Sequence, residues 1–308
     1  MKVGFIGLGI MGAGMALNLR KAGHELFVND LKRETAERHI AQGCVWMDSP
    51  RRIAEASDLL FTSLPGPKEV EAVALAEDGL LKGMRRGTAW FDLSTNSPAL
   101  VRRLHETFAA GGIATLDAPV SGGPRGANSG KLALWVGGDE TLFNRHKHLL
   151  DAMGDQAIYI GPIGAGSVAK LVHNCAGYAL QTVLAEVFTM GVKGGVEPLS
   201  LWKALRQGSL GRSRVFDRLA NQFLPGEFEP PSFTLRGAHK DMTLATELAR
   251  ELDVPMRLAS LTHAELTEAL SRGWGHLDSR SPMLLQEERA GVTIKVPREL
   301  VNKALNEG

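Results

Sequence analysis

The chain has 308 residues, enough for about two domains. Apolar residues make up 44% and charged residues 22%, an ordinary globular balance. Lysine plus arginine (35) against aspartate plus glutamate (34) leaves a formal net charge of +1, which argues against nucleic acid or an anionic membrane as partner and requires a few placed groups to hold any anionic ligand.

The start, "MKVGFIGLGIMGAGMALNLRKAG", has Lys2 and then an apolar run, the outline of a signal peptide. The glycines Gly4, Gly7, Gly9 and Gly12 fit another reading better, so secretion is not expected. Val3–Ile6 reads as a strand and Gly12–Ala22 as a helix. Between them Gly7, Gly9 and Gly12 stand in the G-x-G-x-x-G spacing of a dinucleotide loop. The first glycine permits the tight turn, the second lets backbone approach a pyrophosphate, and the third lets helix and strand pack closely. The helix start then offers free N–H groups to phosphate. Candidate cofactor contacts are therefore Gly7, Leu8, Gly9, Ile10, Met11 and Gly12. Leu26–Asn29 is the next strand, and Asp30 comes directly after it, 18 residues after Gly12, where a carboxylate accepts ribose hydroxyls and repels a 2′-phosphate. That favours NAD, while Lys32 and Arg33 keep NADP open; a solvated loop carboxylate is the plainer reading of Asp30.

Helical patterns at Arg33–Gln42, Lys68–Ala76, Pro98–Ala110 and Leu142–Met153 alternate with strand patterns at Leu59–Leu64, Ala89–Leu93, Ala114–Ala118, Leu132–Val136 and Ala157–Ile160. The alternation predicts a parallel sheet covered on both faces. Ligands sit at the carboxyl ends of such strands. Those ends carry Leu64-Pro65, Ser94-Thr95 and Asp117 through Gly123, either as a ligand crevice or as ordinary turn residues. In "DAPVSGG", Ser121, Gly122 and Gly123 can present successive N–H groups and a hydroxyl to an oxyanion, or simply form a glycine-rich connection to the next helix or hairpin.

The pattern changes at "IGPIGAGS". Helices are expected at Ser167–Gly191, Leu199–Arg206, Ser213–Gln222, Leu235–Leu252 and Met256–Ser271, with one further strand at Val292–Val296. The boundary falls near Gly161–Gly166, giving domains 1–163 and 164–308. On the first of these helices Lys170, Asn174, Gly177 and Gln181 share one narrow stripe, and the rest of the circumference is apolar. An all-apolar helix is expected to be buried, so Lys170 needs a partner or a solvated cleft, unless it snorkels to solvent. A lysine so placed can move a proton to or from a substrate oxygen while Asn174 orients the substrate. His173 reads as a packed or partly exposed helix residue. Ala176–Val192 is the most apolar stretch, but Gln181 and Glu186 interrupt it and it falls short of the roughly 20 residues of a membrane span. Lys240-Asp241 stands near a helix start, with the aspartate as a cap or dipole partner. Cys44 and Cys175 lie far apart and in no metal spacing, which predicts no disulfide framework, no metal site and a cytoplasmic protein.

In order along the chain, "GFIGLGIMGAGMALNL", "DAPVSGGPRGANSGKL", "GAGSVAKLVHN" and "KDMTLA" resemble the four motifs of the β-hydroxyacid dehydrogenase family. The resemblance covers almost the whole chain. It implies a Rossmann dinucleotide-binding domain, a long interdomain helix, an all-α C-terminal domain, and a homodimer or homotetramer. It implies Lys170 as catalytic lysine, Asn174 as substrate-orienting amide and Ser121, Gly122 and Gly123 as the substrate carboxylate site. Lys240, Leu64, Pro65 and Thr95 are implied at the cofactor. Asp30-Leu31 resembles the NAD-preferring members. The implied reaction is nicotinamide-dependent interconversion of a short 3-hydroxy acid and its semialdehyde or keto acid. The alternatives are a glyoxylate or succinic semialdehyde reductase and a non-catalytic dinucleotide-binding protein of the same fold. Trp135, Arg212, Arg214, Phe233 and Arg236 are candidates to shape the pocket, where an extra arginine would favour a second anionic group on the substrate.

Overall fold

The computed structural model of the chain describes residues 1–193, 195–208, 211–213, 216–251 and 256–306. It divides into two compact units, residues 1–173 and 174–308. The first holds β1 (Lys2–Ile6), α1 (Gly12–Lys21), β2 (Glu25–Asn29), α2 (Glu37–Ile40), β3 (Val45–Trp46), α3 (Pro50–Ala56), β4 (Leu59–Thr62), α4 (Pro67–Leu75), α5 (Leu80–Gly83), β5 (Ala89–Asp92) and α6 (Pro98–Ala110). It continues with β6 (Ala114–Asp117), β7 (Val120–Ser121), α7 (Gly123–Ser129), β8 (Leu132–Gly137), α8 (Glu140–Met153) and β9 (Gly154–Gly161). Then α9 (Ala165–Lys193) carries the chain into the second unit, with α10 (Pro198–Gln207), α11 (Leu235–Glu251), α12 (Arg257–Ser271), α13 (Met283–Ala290) and α14 (Arg298–Asn306).

The nine strands form one sheet in the order β3-β2-β1-β4-β5-β6-β8-β7, with β9 paired to β8. From β3 to β6 every pairing is parallel; β8 runs antiparallel to β6 and β7, and β9 lies parallel to β8. The order reverses at β1, which places the ends of β1 and β4 at the crevice of a doubly wound sheet. Successive strand residues point to opposite faces. Phe5, Phe61 and Phe91 therefore pack with Met15 on one face, and Ile6, Leu60 and Trp90 pack with Phe108 on the other. Burial on both faces is what makes these strands nearly continuous in apolar residues.

The second unit is helical among the described residues, around Phe188, Trp202, Phe223, Leu224, Ile294 and Val301. Three expectations need correction. Val292–Val296 is not a strand. Its Ile294 N–H goes to the Glu287 carboxylate and its Val296 N–H to the Leu224 carbonyl, so no neighbouring strand is needed. The helix expected at Ser213–Gln222 is replaced, in the described part, by 3₁₀ turns at Gly211–Ser213 and Phe216–Ala220. Leu219, Ala220, Phe223 and Leu224 are all buried there, a broader apolar face than one stripe of a short helix. Arg33–Gln42 likewise starts as a 3₁₀ turn, Arg33–Ala36, before α2. Arg214 and Leu252 lie outside the described residues. The short α3, α5 and α7, the short β3 and β7, and the C-terminal α13 and α14 are additions to the elements expected. Among the described residues no helix is long and apolar enough to cross a membrane.

Candidate active site

The loop between β1 and α1 uses its glycines in three different ways. Gly7 has φ +94°, and a Cβ there would stand 2.2 Å from the Ser63 carbonyl oxygen beyond β4. A Cβ on Gly12 would stand 1.8 Å from the Gly7 carbonyl oxygen, so the turn closes on itself at that point. Gly9 is exposed, with nothing within 4 Å of its Cβ position. That open cradle, next to a helix start, suits a phosphate-bearing cofactor. Ile10 beside it is 68% exposed, whereas Leu8 is buried. Met11 stands at the cap position of α1. The Gly7 N–H donates to the Asn29 carbonyl (3.0 Å), and the Leu8 N–H donates to Asp30 Oδ2 (2.7 Å). Asp30, directly after β2, thus holds the loop. A carboxylate has about four acceptor positions, so two loop amides, those of Leu8 and Lys32, leave capacity for ribose hydroxyls.

The ends of β4 and β5 are tied through Asp92. Its Oδ1 accepts from the Thr62 hydroxyl (2.8 Å) and the Ser94 N–H (3.1 Å), and its Oδ2 from the Asn96 amide (3.0 Å). The Ser94 hydroxyl in turn accepts from the Leu64 N–H (2.9 Å). This chain sets the turns bearing Leu64, exposed Pro65 and half-buried Thr95. Asp92 is buried, and burial pushes its carboxyl up from the ordinary range against the pull of these donors.

Asp117 ends β6 and does for α9 what Asp92 does for the neighbouring turns. Its Oδ1 accepts from the Gly164 N–H (2.7 Å) and its Oδ2 from the Ser167 N–H (2.6 Å). A carboxylate from a strand therefore satisfies donors at the start of the helix that carries Lys170, three residues after Ser167. The approach is close. A Cβ on Gly166 would stand 2.2 Å from the Trp135 carbonyl oxygen, and one on Gly137 would stand 2.5 Å from Asp117 Oδ1. Burial pushes the Asp117 carboxyl up as well, ahead of the opposing pull of the amides. Four residues after Asp117 come Ser121, Gly122 and Gly123. Gly122 has φ +131° and Gly123 +63°, consecutive positions that favour glycine, and the Cβ position of Gly123 faces open space. The next helix, α7, is pressed onto α1. Asn18 donates to the Ala127 carbonyl (2.9 Å), and a Cβ on Gly14 would stand 2.8 Å from the same carbonyl.

The all-round burial expected of this helix is not found. Lys170 is half-buried, Val172 is 62% exposed, and His173 and Ala176 are exposed; Leu171 and Cys175 are buried. An apolar residue is not thereby an inside residue, and the small and aliphatic side chains of α9 cover an open side. His173 is exposed and lays its ring 5.1 Å from that of Trp135.

In the second unit Asn174 donates from Nδ2 to Asp241 Oδ2 (2.6 Å), and Lys240 Nζ stands 2.8 Å from Asp241 Oδ1. Asp241 is only 1% exposed, and the Tyr178 hydroxyl donates to its Oδ2 at 3.5 Å. The Tyr178 hydroxyl is held well above its ordinary value, by burial first and by Asp241 next. Asp241 is the seventh residue of α11, buried and committed to side chains, so it does not cap that helix. Sequence reading also left out the roles of Asp92, Asp117 and Gly14. Of the arginines and aromatics expected to shape a pocket, Arg212 donates to the Gln207 carbonyl (3.0 Å) and Phe233 is 43% exposed over Gly237. Among the described residues no group of three or more histidines, cysteines or acids could hold a metal ion.

Residues 2–161 match the family model for the NAD binding domain of 6-phosphogluconate dehydrogenase, and residues 164–286 match that for the NAD-binding region of NADP-dependent 3-hydroxyisobutyrate dehydrogenase. Among similar proteins, 2-(hydroxymethyl)glutarate dehydrogenase of Eubacterium barkeri is 33% identical over 294 residues, 96% of this chain and 97% of that protein. The 2-hydroxy-3-oxopropionate reductase of Escherichia coli is 32% identical over 278 residues, 90% and 94% of the two chains. A solved structure of Mycobacterium tuberculosis 3-hydroxyisobutyrate dehydrogenase with L-serine superimposes with a TM-score of 0.81 at 28% identity, covering 92% of this chain and 98% of that one.

Proposed function

The chain belongs to the β-hydroxyacid dehydrogenase family of NAD(P)-dependent oxidoreductases that act on CH–OH groups, and from that premise we propose that it interconverts a 2-substituted 3-hydroxypropanoate and its 3-oxo form. The compounds named with its relatives support this class by their chemistry. 3-Hydroxyisobutyrate, L-serine and 2-(hydroxymethyl)glutarate are all 3-hydroxypropanoates, and 2-hydroxy-3-oxopropionate is the oxidised form of another. They differ only in the group on C2: methyl, ammonium, carboxyethyl or hydroxyl.

The observation that carries the reading is the segment from Asp117 to Gly123. Its first residue holds the start of the helix bearing Lys170, and its last three offer a hydroxyl and glycine backbone amides. One short stretch of chain thereby fixes the group that moves a proton and the group that holds a carboxylate. Ser121, Gly122 and Gly123 bind the carboxylate common to the class. Lys170 removes the hydroxyl proton in oxidation and returns it in reduction. Asn174, held by Asp241, orients the substrate oxygen, and Lys240 on the same carboxylate serves the cofactor side. When bound on Gly7, Leu8, Gly9, Ile10, Met11 and Gly12, with Leu64, Pro65 and Thr95 nearby in the sheet-end turns, the dinucleotide supplies or takes up the hydride. Asp30 favours NAD over NADP, because a 2′-phosphate would meet its carboxylate. We further propose a cytoplasmic homodimer or homotetramer: Cys44 and Cys175 are free thiols, and Leu258 and Leu261 stand exposed three residues apart on α12, where a subunit contact can cover them.

The test is NAD and NADP reduction against 3-hydroxyisobutyrate, L-serine and 2-(hydroxymethyl)glutarate, with lactate as a 2-hydroxy control and Lys170→Ala beside the wild type. Turnover of at least one 3-hydroxy acid is expected, faster with NAD, with a loss in the variant on the order of 10² or more. Equal rates in both proteins would remove Lys170 from the chemistry.

A further inference from the structure

The class proposed above leaves the C2 substituent open, and a pair of arginines in the second unit bears on it. Arg218, in the 3₁₀ turn Phe216–Ala220, is exposed, and its Nη1 lies 3.6 Å from where a Cβ on Gly177 would stand. Gly177 is three residues beyond Asn174 on α9, about 4.5 Å along the helix axis. The guanidinium therefore lies in van der Waals contact with the Gly177 position, next along the stripe from the substrate-orienting amide.

The charges around it are arranged unevenly. Arg280 donates from Nη1 to Asp278 Oδ1 (2.8 Å) and to Gln222 Oε1 (2.9 Å), and its buried Nε makes no hydrogen bond among the described residues. Asp278 is fully committed, since it also accepts the N–H groups of Ser232 (2.9 Å) and Arg280 (3.1 Å). It offsets Arg280 and has nothing to spare for Arg218. Arg206, Arg272, Arg289 and Arg298 of the same unit each end on a carboxylate. No carboxylate of the described residues lies within ion-pair distance of Arg218. The Arg218 guanidinium is held below its ordinary value, by desolvation of its inner side first and by the neighbouring Arg280 next. Tyr178, kept protonated by burial and Asp241, is a neutral group close to both the Asp241 carboxylate and the two arginines.

We infer that Arg218, with Arg280 behind it, binds a second carboxylate carried on the C2 side chain of the substrate, so that the preferred substrates are dicarboxylic 3-hydroxy acids. The inference rests on the 3-hydroxy acid reading above. A guanidinium suits this task, because its fork matches a carboxylate with two parallel hydrogen bonds. A charge on a C2 side chain also needs a cation of its own, apart from the hydroxyl and amides proposed for the carboxylate shared by the class.

The test compares 2-(hydroxymethyl)glutarate with 3-hydroxyisobutyrate in wild type, Arg218→Gln and Arg218→Lys, reading the ratio of their kcat/KM values. Wild type is expected to prefer the dicarboxylate. Arg218→Gln is expected to lower that ratio on the order of 10- to 100-fold, mainly through KM for the dicarboxylate, the scale of one charged hydrogen-bonding partner lost. Arg218→Lys keeps the charge without the fork and should recover part of the ratio. An unchanged ratio in Arg218→Gln, or equal losses on both substrates, would overturn the inference, as would a wild type that oxidises the monoacid without preferring the dicarboxylate. A wild type that oxidises no 3-hydroxy acid at all would instead overturn the underlying reading, and this one with it.

Discussion

Asp117 is the most economical point at which to perturb the lysine without touching it. Replacing it by alanine strands two buried N–H groups, those of Gly164 and Ser167, at the start of α9. A buried donor left unsatisfied costs about 1–3 kcal/mol, so the pair costs about 2–6 kcal/mol. Removing a buried carboxylate, whose pKa burial has raised, returns part of that, and a net loss of about 2–4 kcal/mol is expected. Asparagine keeps one acceptor oxygen and should lose about half as much. The kinetic effect is the sharper readout. Lys170 lies less than a turn beyond Ser167, and a displacement of about 1 Å at a reacting group costs on the order of 10²-fold in rate. Asp117→Asn should therefore lower kcat on the order of 10- to 100-fold while KM for NAD moves little, because the Gly7–Gly12 loop is held by Asn29, Asp30 and Ser63 instead. Urea unfolding gives the first quantity and steady-state kinetics the second. If Asp117 acts through the lysine, Asp117→Asn placed on Lys170→Ala should slow the enzyme little further. An Asp117→Asn protein that loses stability yet keeps wild-type kcat, or two losses that simply multiply, would refute the reasoning.

Two other outcomes rest on single residues. Gly9→Ala should leave the melting temperature nearly unchanged, since its Cβ meets nothing, yet weaken NAD binding by filling the phosphate cradle. Gly12→Ala should do the reverse and cost about 1–3 kcal/mol or more, because its Cβ strikes the Gly7 carbonyl; thermal melts beside NAD titrations separate the two. Asp92 titrates from a raised value in the folded state, so the stability it adds is full below the unfolded carboxylate range and is lost as pH rises through the folded value. Asp92→Asn removes that dependence, and its unfolding free energy should gain on the wild type as pH rises from the unfolded aspartate value of about 4 to neutrality, as read by urea unfolding at both ends. A difference that stays constant across this range would mean that Asp92 does not titrate as its burial requires.

The alternation of strands and helices in the first unit is most legible at β1, β2, β4, β5 and β6, because these strands bury both faces and so write their positions as nearly unbroken apolar runs. The Gly7–Gly12 loop is legible because one of its constraints is local, the 1.8 Å approach of a Gly12 Cβ to the Gly7 carbonyl, even though Asn29, Asp30 and Ser63 also act on it from afar. Local rules suffice there. They fail at Val292–Val296, where alternation mimics a strand although the backbone partners are a glutamate and a distant carbonyl. They fail again on α9, where an apolar surround predicts burial but Val172 stands open.

The least legible residues are the acids and the arginine that arrange the candidate site. Asp117 meets its amides 47 and 50 residues away, and Asp241 meets Asn174 across 67. Nothing in the local pattern distinguishes such an aspartate from a turn former or a helix cap, because its partners are chosen by topology. What the sequence does carry is the complementary half of each pair. Gly137 and Gly166 are small because Asp117 and the Trp135 carbonyl need that space. A glycine inside a strong helix costs about 1 kcal/mol against alanine. Gly166, standing in α9 four residues before Lys170, is therefore better evidence of what approaches that helix than the charged residues are. The lysine carries the chemistry we propose; the glycine before it marks where the β6 end and β8 press against the helix that bears it.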